Sequence, residues 1–372
     1  MAKKAYIGVD GVAKAVKKSY IGVNNVAKRI KKAYIGIGGV ARPCWSRGEG
    51  VTYYGTATNL SAVRGWLAAT PVGDYALVGG GFASTGSSNA VDVYDTSLVH
   101  TTATGLNGAR GWLAATTVGN YALFGGGINS STCSSVVDAY DSNLTHSNPN
   151  GLSYPRDDLA ATNVGSYALF AGGYGHVDAS ASCVDAYNSS LVRSSPSKLS
   201  TARNGGMAAT SVGDYALFGG GTTDNGPTAL VDAYNSALTH TSAPSLSSPS
   251  RDFAATTVGG YALFNSGLGA QNTLAHLVAY DSSLTLTKID AYARYQHTGT
   301  TVGGYAIFAG GTDSTQTNYV EAFDKFLTRS VRESLSVGRA SLAATSVGEY
   351  ALFCGGITSG VQYATVDVYT VM

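Results

Sequence analysis

The sequence has few charged residues, few cysteines and no long apolar run. Charged residues make up 13% of the 372 residues, well below the roughly 25% of a typical soluble chain. The four cysteines, Cys44, Cys133, Cys183 and Cys354, form no CxxC motif, which argues against a zinc site or a disulfide framework. No apolar run approaches the ~18 residues of a membrane span. The opening MAKKAYIGVDG lacks an apolar region, so we expect no signal peptide.

A repeated decapeptide dominates the rest of the chain. Variants of V-G-x-Y-A-L-F-x-G-G begin at seven valines that are 44 to 48 residues apart. These are Val72, Val118, Val164, Val212, Val258, Val302 and Val347. A fixed period of this length is typical of propellers and solenoids.

Each repeat predicts four short strands. In residues 110–152 the segments LAATT, YALFGGG, VVDAYDSNL and THSNPNGL follow one another with turn residues between them. This is the pattern of one antiparallel propeller blade. Small residues such as Ala114 and Ala115 suit a first strand near the axis, where large side chains would collide. We interpret the recurrent aromatics, such as Tyr121 and Tyr140, as packing between blades.

The two ends of the array complement each other. The seventh repeat stops at VDVYTVM, after its third strand, whereas residues 51–64 align with a fourth strand at 98–110. We predict that strand 51–60 completes the last blade and closes the ring. The predicted fold is therefore all-β, with a seven-bladed propeller over residues 48–372 and a small β-hairpin repeat segment over residues 1–47.

The order of an arginine, a small inner strand, a strand ending in Gly-Gly and then V-D-x-Y resembles the Kelch repeat family over residues 51–372. The seven copies lack the tryptophan that is usual on the fourth strand of that family. The resemblance implies a Kelch-like propeller. Such propellers are mostly interaction platforms, and a minority are oxidases or hydrolases.

The N-terminal segment carries a shorter, basic repeat. Its three copies are KKAYIGVDGVAKAV, KKSYIGVNNVAKRI and KKAYIGIGGVARPC, and residues 1–44 hold ten Lys or Arg against one acid, Asp10. The rest of the chain holds 14 basic and 22 acidic residues. Asp-Gly, Asn-Asn and Gly-Gly between apolar runs favour two-residue hairpin turns. Because so short a ribbon buries little apolar area, we expect it to order against another copy or another protein.

The Lys-Lys-Ala-Tyr-Ile-Gly repeat resembles N-terminal segments of bacteriophage virion and prophage structural proteins over residues 3–44. The resemblance implies an anchoring part followed by a displayed part and, by analogy, a homo-oligomer. The lysines alone also fit a solvated face or docking onto an acidic protein, and nucleic acid is the partner least expected. The candidate anchoring residues are Lys3, Lys4, Lys17, Lys18, Lys31, Lys32, Tyr6, Tyr20 and Tyr34.

Seven arginines, each just before the first strand of a blade, form the main candidate ligand site. They are Arg64, Arg110, Arg156, Arg203, Arg251, Arg294 and Arg339. One interpretation is a cationic channel mouth for anionic sugars or phosphate polymers, since guanidinium binds such groups bidentately. The alternative is that each arginine pairs with a nearby carboxylate. The candidate partners are Asp92, Asp138, Asp185, Asp232, Glu321 and Asp367. In the fifth blade Val278 replaces the acid and Asn265 replaces a glycine. This divergence fits either a contact surface on that blade or neutral sequence drift.

Two tryptophans and seven loops extend this candidate site. Trp66 and Trp112 follow their arginines by two residues, and they could stack a sugar ring or pack under the loops. Variable loops follow the second strands and are expected on the same face as the arginines, where function often resides. The loops are 82–90, 128–135, 174–182, 222–230, 268–276, 312–319 and 357–365.

The sequence shows no catalytic motif of a known kind. GxSxG, HExxH and the P-loop are absent. His100, His146 and His240 occupy matching positions in different blades, so we expect them to lie apart and not to bind a metal. Asp157 and Asp158 are the only adjacent carboxylates near the arginines, and a glycosidase would need a carboxylate pair at one mouth. We expect no enzyme, no metal and no cofactor.

The leading hypothesis is a virion-associated bacteriophage protein of the fibre or spike type, located on the particle surface. Its propeller would bind a host-surface glycan or protein, and its N-terminal segment would bind other virion proteins. The alternatives are a capsid or tail decoration protein with mainly a packing role, and a polysaccharide-degrading propeller enzyme.

Overall fold

The computed structural model describes residues 50–176, 178–265, 267–268 and 277–371, together with the backbone of six strands between residues 6 and 46. Two compact units make up the chain. One comprises Met1–Thr52 with Val371–Met372, and the other is Tyr53–Thr370. Among the described residues, no helix has the length and hydropathy that a membrane crossing requires.

The six N-terminal strands form three antiparallel hairpins. Val9 pairs with Val12, Val23 with Val26 and Ile37 with Val40, which leaves two residues between the strands of each hairpin, as the dipeptides predict. The hairpins are Tyr6–Val9 with Val12–Ala15, Tyr20–Val23 with Val26–Arg29, and Lys32–Ile37 with Val40–Ser46. The anchoring candidates Lys3, Lys4, Lys17, Lys18 and Lys31 lie outside the described residues. Lys32, Tyr6, Tyr20 and Tyr34 lie in the strands.

Seven four-stranded antiparallel sheets form the second unit, and the prediction of an all-β, seven-bladed propeller is confirmed. The first, innermost strands are Ala68–Val72, Ala114–Val118, Ala160–Val164, Met207–Val212, Ala254–Val258, Thr298–Val302 and Ala343–Val347. The second strands are Tyr75–Gly79, Tyr121–Gly125, Tyr167–Ala171, Tyr215–Gly220, Tyr261–Asn265, Tyr305–Ala309 and Tyr350–Cys354. The third strands are Val91–Asp95, Val137–Asp141, Val184–Asn188, Val231–Asn235, Leu277–Tyr280, Val320–Phe323 and Val366–Val371. The fourth strands are His100–Thr102, His146–Ser147, Arg193–Ser194, His240–Ala243, Leu286–Ile289, Arg329–Val331 and, for blade seven, Val51–Thr56.

Small side chains let the first strands converge on the axis. First strands of neighbouring blades lie side by side around the ring. In the second blade Ala114 and Val118 are buried, whereas Ala115 and Thr117, which alternate with them, are partly exposed. This period of two is that of a strand with one face in the core and one face on the channel.

Aromatic side chains pack one blade against the next. Tyr140 of the second blade shares a core cluster with Val91 and Val93 of the first. At Gly125, a Cβ would lie 2.7 Å from the ring of Phe170 in the third blade, which is too close for any side chain. The recurrent phenylalanines of the second strands and the glycines of the preceding blades are therefore complementary parts of the contact between blades.

The strand Val51–Thr56 is hydrogen-bonded to Val366–Val371 and forms the outer edge of blade seven. Beyond it, Ala57 N–H donates to Val366 O at 2.9 Å and Leu60 N–H donates to Ala364 O at 2.8 Å. The two ends of the propeller sequence therefore meet in one blade.

The loops after the second strands contain short elements of their own. These are the strand pairs Phe82–Ala83 with Gly86–Ser87, Thr222–Thr223 with Gly226–Pro227, and Ile357–Thr358 with Val361–Gln362, and the 3-10 helix Asp178–Ser182.

Candidate functional site

Six of the seven candidate arginines are buried inside their blades. Each forms an ion pair with the acid on the third strand of its own blade, and the side chains of both partners are at most 2% exposed. The pairs are Arg64–Asp92, Arg110–Asp138, Arg156–Asp185 (2.8 Å), Arg203–Asp232, Arg294–Glu321 (3.2 Å) and Arg339–Asp367 (2.6 Å). These six guanidinium groups lie in the blade interior and do not line a cationic mouth. For these six arginines, the structure shows the alternative interpretation, in which each arginine pairs with a carboxylate.

The same carboxylates also accept hydrogen bonds from the fourth strands. The Nε2 atoms of His100, His146 and His240 lie 2.6–2.7 Å from Asp92, Asp138 and Asp232. Arginines take this place in blades three and six, where Arg193 meets Asp185 and Arg329 meets Glu321. Each acid thus links the inner and outer parts of its blade.

The fifth blade has no such pair, and its arginine is one residue out of register with the others. Ser250 N–H donates to Thr228 O at 3.0 Å, the same bond that Arg203 N–H makes with Ala181 O in the fourth blade. Ser250 therefore occupies the position that the sequence alignment assigned to Arg251. Because Val278 replaces the acid, this blade could not neutralise a buried guanidinium.

Arg251 instead lines the mouth of the central channel. Its Nη1 lies 2.5 Å from Asp252 Oδ2, and its side chain is 38% exposed. Asn265, which replaces a glycine, is buried and donates from Nδ2 to Glu321 Oε1 at 2.9 Å. The divergence of the fifth blade therefore places one arginine at the mouth and adds a polar link to the sixth blade.

A ring of seven residues with left-handed backbone, one from each blade, surrounds this mouth. They are Trp66, Trp112, Asp158, Gly206, Asp252, Gln296 and Ser341, with φ between 50° and 68°. Six of the seven links are bonds from the N–H of one ring member to the carbonyl of the member before it, at 2.6–3.1 Å. This conformation is uncommon for residues with a side chain. Its recurrence in every blade means that the ring geometry fixes the positions of these side chains.

The seventh link is made by a side chain. Gly206 N–H donates to Asp158 Oδ2 at 3.0 Å. A Cβ on Gly205 would lie 2.1 Å from the same oxygen, so any other residue there would displace the carboxylate from this position. The fourth blade also has one more residue between Arg203 and its ring member than the second blade has between Arg110 and Trp112. That insertion accompanies the change from a backbone to a side-chain acceptor.

The ring encloses an axial cavity of about 420 Å³, within the roughly 300–1,000 Å³ of small-molecule sites. One part of its wall is aromatic. Trp112 is 41% exposed, and its ring centroid lies 5.8 Å from Trp66 and 5.2 Å from Phe82 in edge-to-face geometry. The residue after each ring member also lines the cavity. These are Leu67, Leu113, Leu159, Met207, Phe253, His297 and Leu342.

The rest of the wall is polar and carries two carboxylates. Asp158 is open to the cavity, but enclosure by protein raises its pKa to about 7, and the carboxylates of Asp252 and Asp157 add to the rise. Burial raises the pKa of Asp252 as well, although Arg251 opposes the change. One member of this pair therefore holds a proton at higher pH than an ordinary carboxyl group does.

His297 adds an uncharged side chain to the cavity wall. It is 6% exposed, and both of its ring nitrogens are buried. Burial lowers the pKa of His297 well below its usual value, and the charge of Arg294 lowers it further. The imidazole is therefore neutral, and it offers a ligand in the cavity no accessible ring nitrogen.

The variable loops lie beside the ring, on the same face as the axial cavity. Phe82, at the start of loop 82–90, pairs with Gly65, next to Trp66. The corresponding bridges in other blades are Gly111 with Ile128, Asp157 with Tyr174, Arg251 with Leu268, Tyr295 with Thr312 and Ala340 with Ile357. Residues 269–276 of loop 268–276 lie outside the described residues.

The structure brings together three of the nine candidate ligand residues, Trp66, Trp112 and Arg251. Sequence reasoning missed Asp158, Asp252, Gln296 and Ser341 as members of the same ring. A signal was present, because each stands two residues before its first strand, where Trp66 and Trp112 stand in their blades.

The adjacent carboxylates of the sequence do not form the pair in the cavity. Asp157 is 5% exposed, and its Oδ1 lies 3.1 Å from the Cys133 thiol. The carboxylate that shares the cavity with Asp158 is Asp252, from another blade.

One solved structure of similar architecture is described as "Structure of YjhT". It aligns with a TM-score of 0.57 and 13% identity, over 85% of this chain and 99% of that one. At this identity the likeness concerns the fold alone. No protein-family model and no curated protein matches the chain. Fold and site together define a seven-bladed β-propeller with a ligand-sized cavity at its channel mouth.

Asp158→Asn is expected to stabilise the propeller at pH 8 but not at pH 4. The pKa of Asp158 is raised from 3.8 to about 7 in the folded chain, so the folded state holds a proton that the unfolded state releases between these values. The wild type therefore loses stability as pH rises through this window. Because solvent in the cavity screens the Asp158 carboxylate, we expect the free energy of unfolding at pH 8 to rise by only about 1 kcal/mol. Urea denaturation would measure it. A variant no more stable than wild type at pH 8 would contradict the raised pKa.

Proposed function

We propose that the protein is a non-enzymatic display protein whose propeller binds a glycan in the axial cavity. The proposal rests on one observation: a cavity of about 420 Å³ combines the aromatic wall of Trp66 and Trp112 with carboxylate and amide groups. Aromatic side chains offer a large apolar surface to the face of a sugar ring, and a few fixed polar groups orient its hydroxyls.

We further propose that the glycan belongs to a host surface and that the chain is carried on a bacteriophage particle. The basic N-terminal repeat supports this part of the proposal, through its resemblance to virion segments and its ten basic residues against Asp10. In this proposal the hairpins anchor the chain to other virion proteins, the chain is a homo-oligomer, and the propeller is Kelch-like.

Trp112→Ala is expected to weaken glycan binding at least tenfold and to lower the free energy of unfolding by about 1–3 kcal/mol. The indole is 41% exposed and offers an apolar face to a ligand, but its loss also removes the edge-to-face contacts with Trp66 and Phe82. A glycan array with the full-length chain would identify a ligand, and calorimetry would measure its affinity. Phe326→Ala is a matched control, because Phe326 is 76% exposed and does not line the cavity.

Two results would count against the proposed site. Equal affinity of wild type and Trp112→Ala would place the glycan on another surface. Absence of binding to every glycan on the array would favour a decoration role, in which the propeller mainly packs against neighbouring proteins.

A second candidate function is glycoside hydrolysis, favoured by the two carboxylates in the cavity. Asp158 and Asp252 both line the cavity, and the charge of the Asp252 carboxylate helps to raise the pKa of Asp158. Glycosidases use one protonated and one ionised carboxyl group. Mass spectrometry of each array-positive oligosaccharide after incubation tests this function. Shortened products formed by wild type, but by neither the Asp158→Asn variant nor the Asp252→Asn variant, would establish this function.

A further inference from the structure

Among the described residues, one carboxylate of the axial cavity has no cationic partner. The charged side chains that this part of the chain places on the cavity wall are Asp158, Asp252 and Arg251, and Arg251 pairs with Asp252. Within the described residues, the Asp158 carboxylate accepts a hydrogen bond from Gly206 N–H and forms no ion pair. Asp158 is exposed to the cavity, so a cation that enters the cavity can reach this carboxylate and neutralise it. With two acids and one base, the cavity is also a poor site for an anionic sugar.

The residue next to this carboxylate in the ring is aromatic. Asp158 N–H donates to the carbonyl of Trp112 at 2.9 Å, and both residues line the axial cavity. The face of an indole attracts a cation through its negative π-cloud. A carboxylate and an indole are both groups that attract a cation, and both line this cavity.

We propose that the glycan bound in the axial cavity carries an ammonium group, as an amino sugar does, and that Asp158 binds this group. The inference rests on the proposed glycan binding and names the chemistry of the ligand. The ammonium group takes the place of the proton that Asp158 otherwise holds near neutral pH. The charged groups that act on Asp158 are Asp252, Asp157 and Arg251, and of these only Arg251 disfavours the proton.

His297 is compatible with this chemistry. Its imidazole is neutral, because burial and the charge of Arg294 lower its pKa well below the usual value, so it presents no positive charge to a bound cation. Its ring nitrogens are buried, so Asp158 is the group to which we assign the ammonium.

The test is calorimetry of the full-length chain at pH 7 with two probes that differ only at nitrogen. The probes are a tetramer of glucosamine and the matching tetramer of N-acetylglucosamine. Wild type should bind the glucosamine tetramer at least tenfold more tightly, since a charge-assisted bond replaces a neutral contact. Asp158→Asn should lose this preference, because asparagine can still accept the Gly206 N–H and tolerates left-handed backbone but has no charge. The preference should also shrink at pH 5.5, where Asp158 holds its proton.

Asp214→Asn is the matched control, because Asp214 lies in an exposed turn and does not line the cavity. A tenfold preference that persists in Asp158→Asn would assign the cation to another acidic surface and overturn the inference. Equal or tighter binding of the N-acetyl tetramer by wild type would overturn it too, while glycan binding itself would stand. Binding of neither tetramer would overturn the inference, and the glycan array would then decide the proposed function separately.

Discussion

Replacing Asp138 by alanine is expected to lower the free energy of unfolding of the propeller by about 3–5 kcal/mol. The carboxylate pairs with the buried Arg110 guanidinium and also accepts from His146 Nε2 and from Asn107 N–H, at 2.7 and 2.8 Å. Burial alone would raise the pKa of Asp138, but Arg110 holds it below its usual value. Removing the acid leaves a cation that is at most 2% exposed without compensation.

Urea denaturation followed by circular dichroism would measure this loss, with Asp214→Asn as the exposed control. The double variant Arg110→Met with Asp138→Val should be less destabilised than Asp138→Ala, because it removes both charges and leaves neither one unpaired. The fifth blade has Ser250 and Val278 at the positions equivalent to Arg110 and Asp138, so it carries neither charge there. A single variant within 1 kcal/mol of wild type, the usual range of an exposed ion pair, would show that Arg110 does not depend on its partner.

The blades could be predicted from sequence because each is specified locally. Tyr121 to Gly125, the turn before it and the paired strand Val137–Asp141 are close in the chain, and seven copies repeat the pattern. The closing strand Val51–Thr56 was also predictable, because residues 51–64 align with the fourth-strand segment at 98–110. The propeller fold could therefore be predicted from its repeats.

The axial cavity could not be predicted in the same way, because its residues do not repeat. The ring position is equivalent in all seven blades, but it holds different residue types, such as Trp66, Asp158 and Ser341. The arginine was aligned by residue type, so Arg251 was placed in the position that Ser250 occupies. The backbone hydrogen bonds of the ring show which residues are equivalent, and in the fifth blade the residue equivalent to the other arginines is Ser250.

Deleting residues 51–60 is expected to lower the melting temperature of the propeller by about 10 °C or more. The deletion removes the fourth strand of blade seven, the buried Leu60 and the hydrogen bond from Tyr53 OH to Asp367 Oδ1 at 2.7 Å. It also removes the Thr58 carbonyl that accepts from Tyr94 OH in blade one at 2.8 Å. The loss should exceed several kcal/mol, and for a chain of this size each kcal/mol shifts the melting temperature by a few degrees. Tyr53→Phe is the matched control, since it removes one hydrogen bond worth about 1 kcal/mol.

A peptide of residues 50–62 added to the deleted chain separates loss of ring closure from general misfolding. The deletion exposes the edge of Val366–Val371, and an exposed edge accepts an added strand through backbone hydrogen bonds. The melting temperature should therefore rise with peptide concentration, since a ligand of the folded state stabilises it by mass action. A peptide with proline at Tyr53 should restore less, because proline cannot donate to the ladder. A deleted chain that melts like wild type would show that the other six blades hold the ring without this strand.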